Sequence, residues 1–333
     1  VFYRLLMSKF AVYLGSNCPP NMEAYLDARI EEWTCDSLDL IVSENCSVPE
    51  WLTSVSGLTV VNYPYEIGDG VDMARGAAAI TREYIRNFTS DRIRQITQPR
   101  WHAPGVIAGS AGTKTVVETR ASSSMFGEYK TDTNPARSFF ANNILGRSIF
   151  FSDKLYTPKY GSISIPWWSN TERCIEVRKV HPNRFSPDSK PLSSIPSLGE
   201  FQIVTVGRIS EEKGMDLLLG VSKILPEFGF IIVGPERDAQ LAQALRERPN
   251  VLVHNPVPYI EMPGVYAAAD AVLSVSRLEW GGVSRAMLEA RATATPVVAL
   301  EIGDAGSVAN VTCDGDPESI AEGIKQVLTG IKT

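Results

Sequence analysis

The sequence predicts an α/β protein with two parallel sheets in series, and three observations carry this. Short apolar runs alternate with helical stretches along most of the chain. Several of those runs are apolar at every position, as strands covered by helices on both faces must be. A segment rich in proline and serine, Asn183 to Gly199, separates two such series and reads as an interdomain linker.

In the first series the candidate strands are KFAVYLG (Lys9 to Gly15), LDLIVS (Leu38 to Ser43), LTVVNY (Leu58 to Tyr63), TKTVVETR (Thr113 to Arg120) and RSIFFS (Arg147 to Ser152). ISIPWW (Ile163 to Trp168) is a further candidate. Helical stretches cover Met22 to Thr34 and Val71 to Asn87. The second series is more regular. FQIVTVGRI (Phe201 to Ile209) reads as a buried strand entering a turn, and Met215, Leu218, Leu219, Val221 and Ile224 then follow a helical repeat. FGFIIVG (Phe228 to Gly234) is a strand, Glu236 to Arg248 a helix, and Asn250 to His254 a strand. A short helix leads to the strand Ala271 to Ser274. Gly282 to Ala294 is a helix and Pro296 to Leu300 a strand. A closing helix begins with Asp316 as cap and Pro317 at its first position, where a missing N–H costs nothing. The expected domains are 1–190 and 191–333. In sheets of this kind ligands bind beyond the strand C-termini, near a reversal of strand order, and two such domains suggest a cleft.

Size and composition agree with this plan. The chain has 333 residues, enough for two domains at roughly 100–200 residues each. Its 32 basic and 38 acidic side chains give a formal net charge of -6, which offers no broad basic surface for nucleic acid. A local anion site needs only a few cations and helix amides. The five cysteines are odd in number and form no CxxC pair, which argues against a disulfide scaffold or structural zinc and favours a reducing compartment. The apolar block from Leu5 to Gly15 contains Lys9 and lacks a cleavage pattern, so it reads as a buried first strand. No run of about 18 apolar residues predicts a membrane span. The expected location is the cytoplasm, with peripheral contact at a membrane surface compatible with it.

Two constellations carry chemistry. Gly207-Arg208-Ile209-Ser210-Glu211-Glu212-Lys213-Gly214 follows a strand. Gly207 permits close backbone approach, Arg208 and Lys213 are cations, and a helix starting near Gly214 would aim free N–H groups at an anion. A solvated turn explains the same residues equally well. In the second, Glu279 precedes Gly281 and Gly282, which enter a helix bearing Glu289. Paired glycines there suit a backbone nest for phosphate or a sugar hydroxyl. A carboxylate at Glu289 can accept two hydrogen bonds from a vicinal diol, although a surface glutamate is the commoner case.

These residues resemble the large retaining glycosyltransferase family of GT-B fold, often called family 4. The matches are Val206-Gly207-Arg208, Lys213-Gly214, Val233-Gly234, Ala269-Asp270, Ser276, Gly282-Val283-Ser284-Arg285, Leu288-Glu289-Ala290 and Thr295-Pro296-Val297-Val298, in the family's order. Arg184 to Pro191 also resembles the family's link between domains, while the N-terminal half matches only in its strand pattern. The resemblance implies two Rossmann-like domains facing across a cleft. By position, Arg208 and Lys213 would hold a donor's diphosphate and Glu289 the ribose. Glu279, Gly281, Gly282 and Val283 would line the donor sugar, with Gly207 close to the phosphates. The family sets seven residues between its two glutamates. Here nine separate Glu279 from Glu289, and the family spacing falls on Gly281. A bulge that lets Glu279 still reach the sugar is the favoured explanation.

The family often has a histidine after an N-terminal strand, where this chain has Arg120, which cannot act as a base. His102 is the histidine placed nearest a domain edge in that half and the alternative candidate for catalysis. His181 and His254 read as structural. Asn17, after the Gly15-Ser16 turn, is a candidate for an acceptor loop. Trp167 and Trp168 read as packing residues or as a sugar-stacking pair. The implied activity moves a sugar from a nucleotide diphosphate sugar to a carbohydrate or lipid-linked acceptor hydroxyl. No DxD pair stands near a donor turn, so no metal and no cofactor beyond the donor are expected. The alternatives are a nucleotide-sugar epimerase of related fold and a sugar-nucleotide-binding protein without catalysis. A dinucleotide dehydrogenase fits poorly, since no G-x-G-x-x-G follows the first strand.

Overall fold

The computed structural model describes residues 10–15, 18, 20–33, 37–66, 71–88, 90–96, 99–120, 146–159, 163–181, 183–279 and 282–331. The chain divides into two compact units, Val1–Val177 and Arg178–Thr333.

The first unit holds strands Phe10–Gly15 (β1), Leu38–Ser43 (β2), Leu58–Tyr63 (β3), Arg92–Gln95 (β4), Val116–Arg120 (β5), Lys154–Thr157 (β6) and Glu172–Ile175 (β7). They form one sheet in the order β3-β2-β1-β4-β5-β6-β7, every pairing parallel. Helices Pro20–Trp33 (α1), Glu50–Thr53 (α2), Val71–Asn87 (α3) and Pro99–Ser110 (α4) cover it. One face of the sheet packs β1 and β2 side chains such as Val12 and Leu40 against Met22, Leu26 and Ile30 of α1. The other packs Ala11, Tyr13 and Ile93 against Met73, Ala77 and Ile80 of α3. β1 and β2 are buried throughout, and the one charge among them, Asp39, accepts the Tyr84 hydroxyl at 2.5 Å.

Two expected strands lie elsewhere. Arg147 to Ser152 sits in a 3-10 turn, Gly146–Phe151, and pairing starts at Lys154. Ser152 closes the turn by donating to the Ile149 carbonyl at 2.5 Å. Asp153 then accepts the Val117 N–H at 2.7 Å and so leads the chain into the sheet. Ile163 to Trp168 is irregular, and the strand forms at Glu172–Ile175 instead. The four-residue β4, RIRQ, has no apolar run to announce it. Its Arg92 and Arg94 both pair with the fully buried Glu118 on β5, at 2.5 and 2.6 Å.

The second unit holds Gln202–Val206 (β8), Gly229–Val233 (β9), Val251–His254 (β10), Ala271–Ser274 (β11), Val297–Leu300 (β12) and Val311–Cys313 (β13). The sheet runs β10-β9-β8-β11-β12-β13, again wholly parallel. Helices are Leu217–Ile224 (α5), Ala239–Arg246 (α6), Met262–Ala267 (α7), Arg285–Ala292 (α8) and Pro317–Ile331 (α9). Asp270 plays a structural part, since its carboxylate accepts the Gln202 N–H at 2.7 Å and joins the entrances of β11 and β8. The proline- and serine-rich segment is fastened to this unit. Phe185 is buried against Tyr259 and Tyr266, and the Leu192 N–H donates to the Gly264 carbonyl at 2.9 Å. The units part at Val177/Arg178, ahead of the break expected at 190/191, because those apolar anchors draw the segment onto α7.

The chain reverses after β8 in a 3-10 turn, Glu211–Lys213, capped by Gly214 in the left-handed region at φ 68°. A Cβ at Gly214 would lie 1.9 Å from the Val275 carbonyl oxygen. We therefore expect Gly214→Ala to cost about 2–4 kcal/mol through strain and overpacking. Gly315→Ala, with open space around its Cβ, should change little. Urea unfolding of the full chain, followed by circular dichroism, checks this; equal midpoints for the two variants would contradict it.

Candidate functional site

In the second unit, two connections at the C-terminal ends of adjacent strands are stitched together. One is the turn after β8, the other the loop after β11. Arg277 donates to both oxygens of Asp216, at 2.6 and 2.7 Å, and to the Glu211 carbonyl at 2.5 Å. Its own N–H donates to the Glu212 carbonyl. With Gly214 pressed beneath Val275, this sets Lys213 over the loop. Lys213 Nζ donates to Ser276 Oγ and to Glu279 Oε1, both at 3.1 Å.

The second oxygen of Glu279 meets a residue that sequence reasoning missed. Arg178 Nη1 donates to Glu279 Oε2 at 2.8 Å and to the Val283 carbonyl at 2.5 Å. Burial alone would raise the Glu279 carboxyl's pKa. Lys213 and Arg178 outweigh it and hold the group below the ordinary carboxylate value. Glu279 is therefore an anion at neutral pH. Arg178 lies 101 residues before Glu279; its only sequence signal is a basic pair, Arg178-Lys179.

Arg208 stands apart from this cluster and pairs with Glu212 at 3.2 Å, both side chains largely exposed. Such a pair is worth little and exchanges readily for another anion. Gly207 lies where β8 and β9 end together: a Cβ on Gly234 would stand 2.0 Å from the Gly207 carbonyl oxygen, and the Gly207 N–H is donated to Val233. The helix expected from Gly214 begins at Leu217, because Gly214 caps the preceding turn. Gly281 lies outside the described residues, as do Asn17 and Ser16. Gly282 uses its N–H on the Glu279 carbonyl, 3.1 Å, and its carbonyl on the Asp304 N–H, 2.8 Å.

Glu289 sits on α8, whose N-cap Ser284 accepts the Met287 N–H at 3.2 Å. The carboxylate is buried, and Tyr266 of α7 donates its hydroxyl to Oε2 at 2.6 Å. Burial and the Glu289 charge push the Tyr266 hydroxyl's pKa well up, so it stays a donor. That hydrogen bond fixes the orientation of the Glu289 carboxylate. Tyr266 is the second residue the sequence did not single out, being one aromatic just before a run of alanines.

His102 belongs to the first unit, in the first turn of α4. Its buried ring lies beside Tyr13, centroids 5.3 Å apart, and against Gly15, where a Cβ would fall 2.8 Å from the imidazole. Nδ1 has no hydrogen-bond partner among the described residues, and burial pushes the pKa down to about 4. Arg120, at the end of β5, gives its charge to Glu176 at 2.5 Å and stacks on Tyr25. His181 Nδ1 accepts the Asn183 N–H and His254 Nδ1 lies 2.7 Å from the Asn255 carbonyl. Trp168 packs on Phe150 and Phe151, while Trp167 is 96% exposed. Both lie in the connection from β6 back to the start of β7, away from the strand C-termini.

A family model described as "Glycosyl transferases group 1" matches residues 200–330. No curated protein matches the chain by sequence. Among solved structures, a glycosyltransferase from Rickettsia africae is 14% identical, with TM-score 0.66, covering 98% of this chain and 89% of that one. HepE of Anabaena, solved with UDP and glucose, is 15% identical with TM-score 0.67, covering 98% and 91%. The catalytic domain of starch synthase IV from Arabidopsis thaliana, solved with ADP and acarbose, is 12% identical with TM-score 0.65, covering 98% and 92%. These likenesses show the fold: two Rossmann-like α/β units in series, the GT-B class.

His102 offers a direct electrostatic check. A depressed folded pKa means that the unfolded chain binds the proton first. His102 thus stabilises the fold fully above about pH 6.5 and loses up to ~3 kcal/mol as pH falls toward 4. We expect one of the three histidines to titrate near pH 4 by NMR, and His102→Gln to remove that signal. Three histidines titrating near 6.5 would contradict the buried placement.

Proposed function

We propose that the protein transfers a sugar from a nucleotide diphosphate sugar to an acceptor hydroxyl, with retention at the anomeric carbon. The observation that carries this reading is the cluster at the ends of β8 and β11. Lys213 and a charged Glu279 stand together there, the next helix carries an oriented Glu289, and all three lie inside the span matched by the glycosyl transferases group 1 model. The nucleoside diphosphates in the HepE and starch synthase structures support a donor of that class.

In this reading Glu289 accepts the ribose hydroxyls, and Tyr266 keeps its carboxylate facing them. Arg208 and Lys213 take the diphosphate. Glu279, Gly281, Gly282 and Val283 line the sugar, and Gly207 lets the backbone come close to the phosphates. Cleavage of the bond between the anomeric carbon and the phosphate oxygen leaves an oxocarbenium-like sugar and adds negative charge to the diphosphate. Cations that meet this charge more strongly as it develops lower the barrier. The acceptor oxygen bonds to the anomeric carbon on the face the phosphate leaves, and its proton passes to the departing phosphate oxygen. No protein base is then required, which suits a buried, neutral His102. In that case His102 acts by supporting Gly15 at the end of β1, on the acceptor side. The donor needs no metal in this scheme, because Arg208 and Lys213 provide the countercharge.

The acceptor is a carbohydrate, free or lipid-linked. Among the described residues no helix is long and apolar enough to cross a membrane, and a lipid-linked acceptor would be met at the membrane surface from the cytoplasmic side.

A panel of nucleotide sugars, incubated with the protein and a mixed acceptor pool, tests the reading by mass spectrometry. We expect one donor to release its nucleoside diphosphate and yield a glycosylated product. Lys213→Ala should lower the rate about 100-fold or more through lost stabilisation of the leaving group. Glu289→Gln should act mainly through donor KM, weakening it about tenfold. Turnover that survives both substitutions would contradict the assignment of the site.

A further inference from the structure

Lys213 and Arg178 clamp one carboxylate from either side, one cation on each oxygen of Glu279. The three side chains are 23%, 30% and 10% exposed, so the clamp lies at the rim of the fold, where a ligand can reach it. Among the described residues two cations share this single carboxylate, so the clamp carries a net positive charge. A partly buried excess of positive charge is costly unless something anionic completes it. Arg178 makes one more contact, with the Val283 carbonyl, so its guanidinium spans both ends of the segment from Glu279 to Val283. That segment leads into α8 and to Glu289. Arg178 is therefore placed to sense a charge at the clamp and to hold the loop beside it.

We propose that Arg178 is a further cation of the diphosphate subsite, and that Glu279 occupies this subsite as an internal anion until a donor's phosphate displaces it. The proposal rests on the glycosyl-transfer reading for the identity of the ligand. On donor arrival, phosphate oxygens take the places of Oε1 and Oε2 against Lys213 Nζ and the Arg178 guanidinium. Arg178 keeps the Val283 carbonyl throughout. The freed Glu279 carboxylate then turns to the sugar hydroxyls. Glu279 thus has two roles in sequence: counter-ion in the empty site, hydrogen-bond acceptor in the filled one. No bond is made or broken in the exchange.

An internal anion competes with the ligand, so the two substitutions have opposite signs. Binding of inorganic pyrophosphate to the full chain, measured by calorimetry at fixed ionic strength, reads this directly. Glu279→Gln keeps the shape and removes the competing charge, and should tighten pyrophosphate about fivefold or more. Arg178→Gln should weaken it about tenfold, with Arg178→Lys in between, since a point charge replaces part of a planar fork. Circular dichroism establishes that each variant is folded. If Arg178→Gln does not fold, Arg178→Lys carries the test alone, with a weakening of about threefold expected. Pyrophosphate binding unchanged or weakened in folded Glu279→Gln, or unchanged in the Arg178 variants, overturns the proposal. The underlying reading fails in a different way. If pyrophosphate follows the expected order but no nucleoside diphosphate binds and no sugar nucleotide is consumed, the exchange holds and glycosyl transfer falls. If a sugar nucleotide turns over while Glu279→Gln leaves pyrophosphate binding unchanged, the reading holds and the exchange falls.

Discussion

One close approach sets the geometry of the charged cluster: Gly214, in a left-handed conformation, lies directly under the Val275 carbonyl. No side chain fits between them. The contact brings the turn after β8 against the loop after β11, and the Asp216–Arg277 pair locks the two together. Lys213 then has one place to go, over Ser276 and Glu279. The Lys213-Gly214 dipeptide is thus a cation and the hinge that aims it. The same economy holds at Gly207 and Gly234, where adjacent strand ends come too close for a side chain on Gly234.

The cluster lies where parallel sheets gather their loops. Parallel strands deliver every C-terminal end to one edge, and the reversal of order, here between β8 and β11, leaves room between neighbouring connections. The first unit has its own reversal between β1 and β4. His102 and Gly15 sit there, with the imidazole packed beneath the glycine instead of reaching solvent. The two units therefore use the same site architecture differently. The second places charge at its switch point, and the first places an uncharged, close-packed aromatic pair.

Much of this was legible in the sequence, for physical reasons that differ by region. Strands β8, β9, β11 and β12 are buried on both faces, so they stand out as apolar runs bounded by turns. In the first unit, β4 (RIRQ) and β7 (ERCI) carry charges that pair across strands, as Arg92 and Arg94 do with Glu118 and Glu172 with Lys154. No single-segment pattern can show a cross-strand ion pair. RSIFFS had the composition of a strand, but the hydrogen bonds of Ser152 and Asp153 delay pairing until Lys154. In the site, Lys213, Glu279 and Glu289 were visible because they lie within short, glycine-marked motifs. Arg178 and Tyr266 were not. Each reaches its carboxylate from a distant segment, and each looks ordinary in its own surroundings.

The central claim is that Lys213 and Arg178 form a phosphate-binding pair that Glu279 fills in the absence of a donor. A crystal structure of the protein with bound nucleoside diphosphate tests it most directly. The account predicts diphosphate oxygens in hydrogen-bond contact with Lys213 Nζ and the Arg178 guanidinium, the ribose against Glu289, and the Glu279 carboxylate turned away from both cations. A nucleotide bound elsewhere, with Glu279 still bridging Lys213 and Arg178, would contradict it.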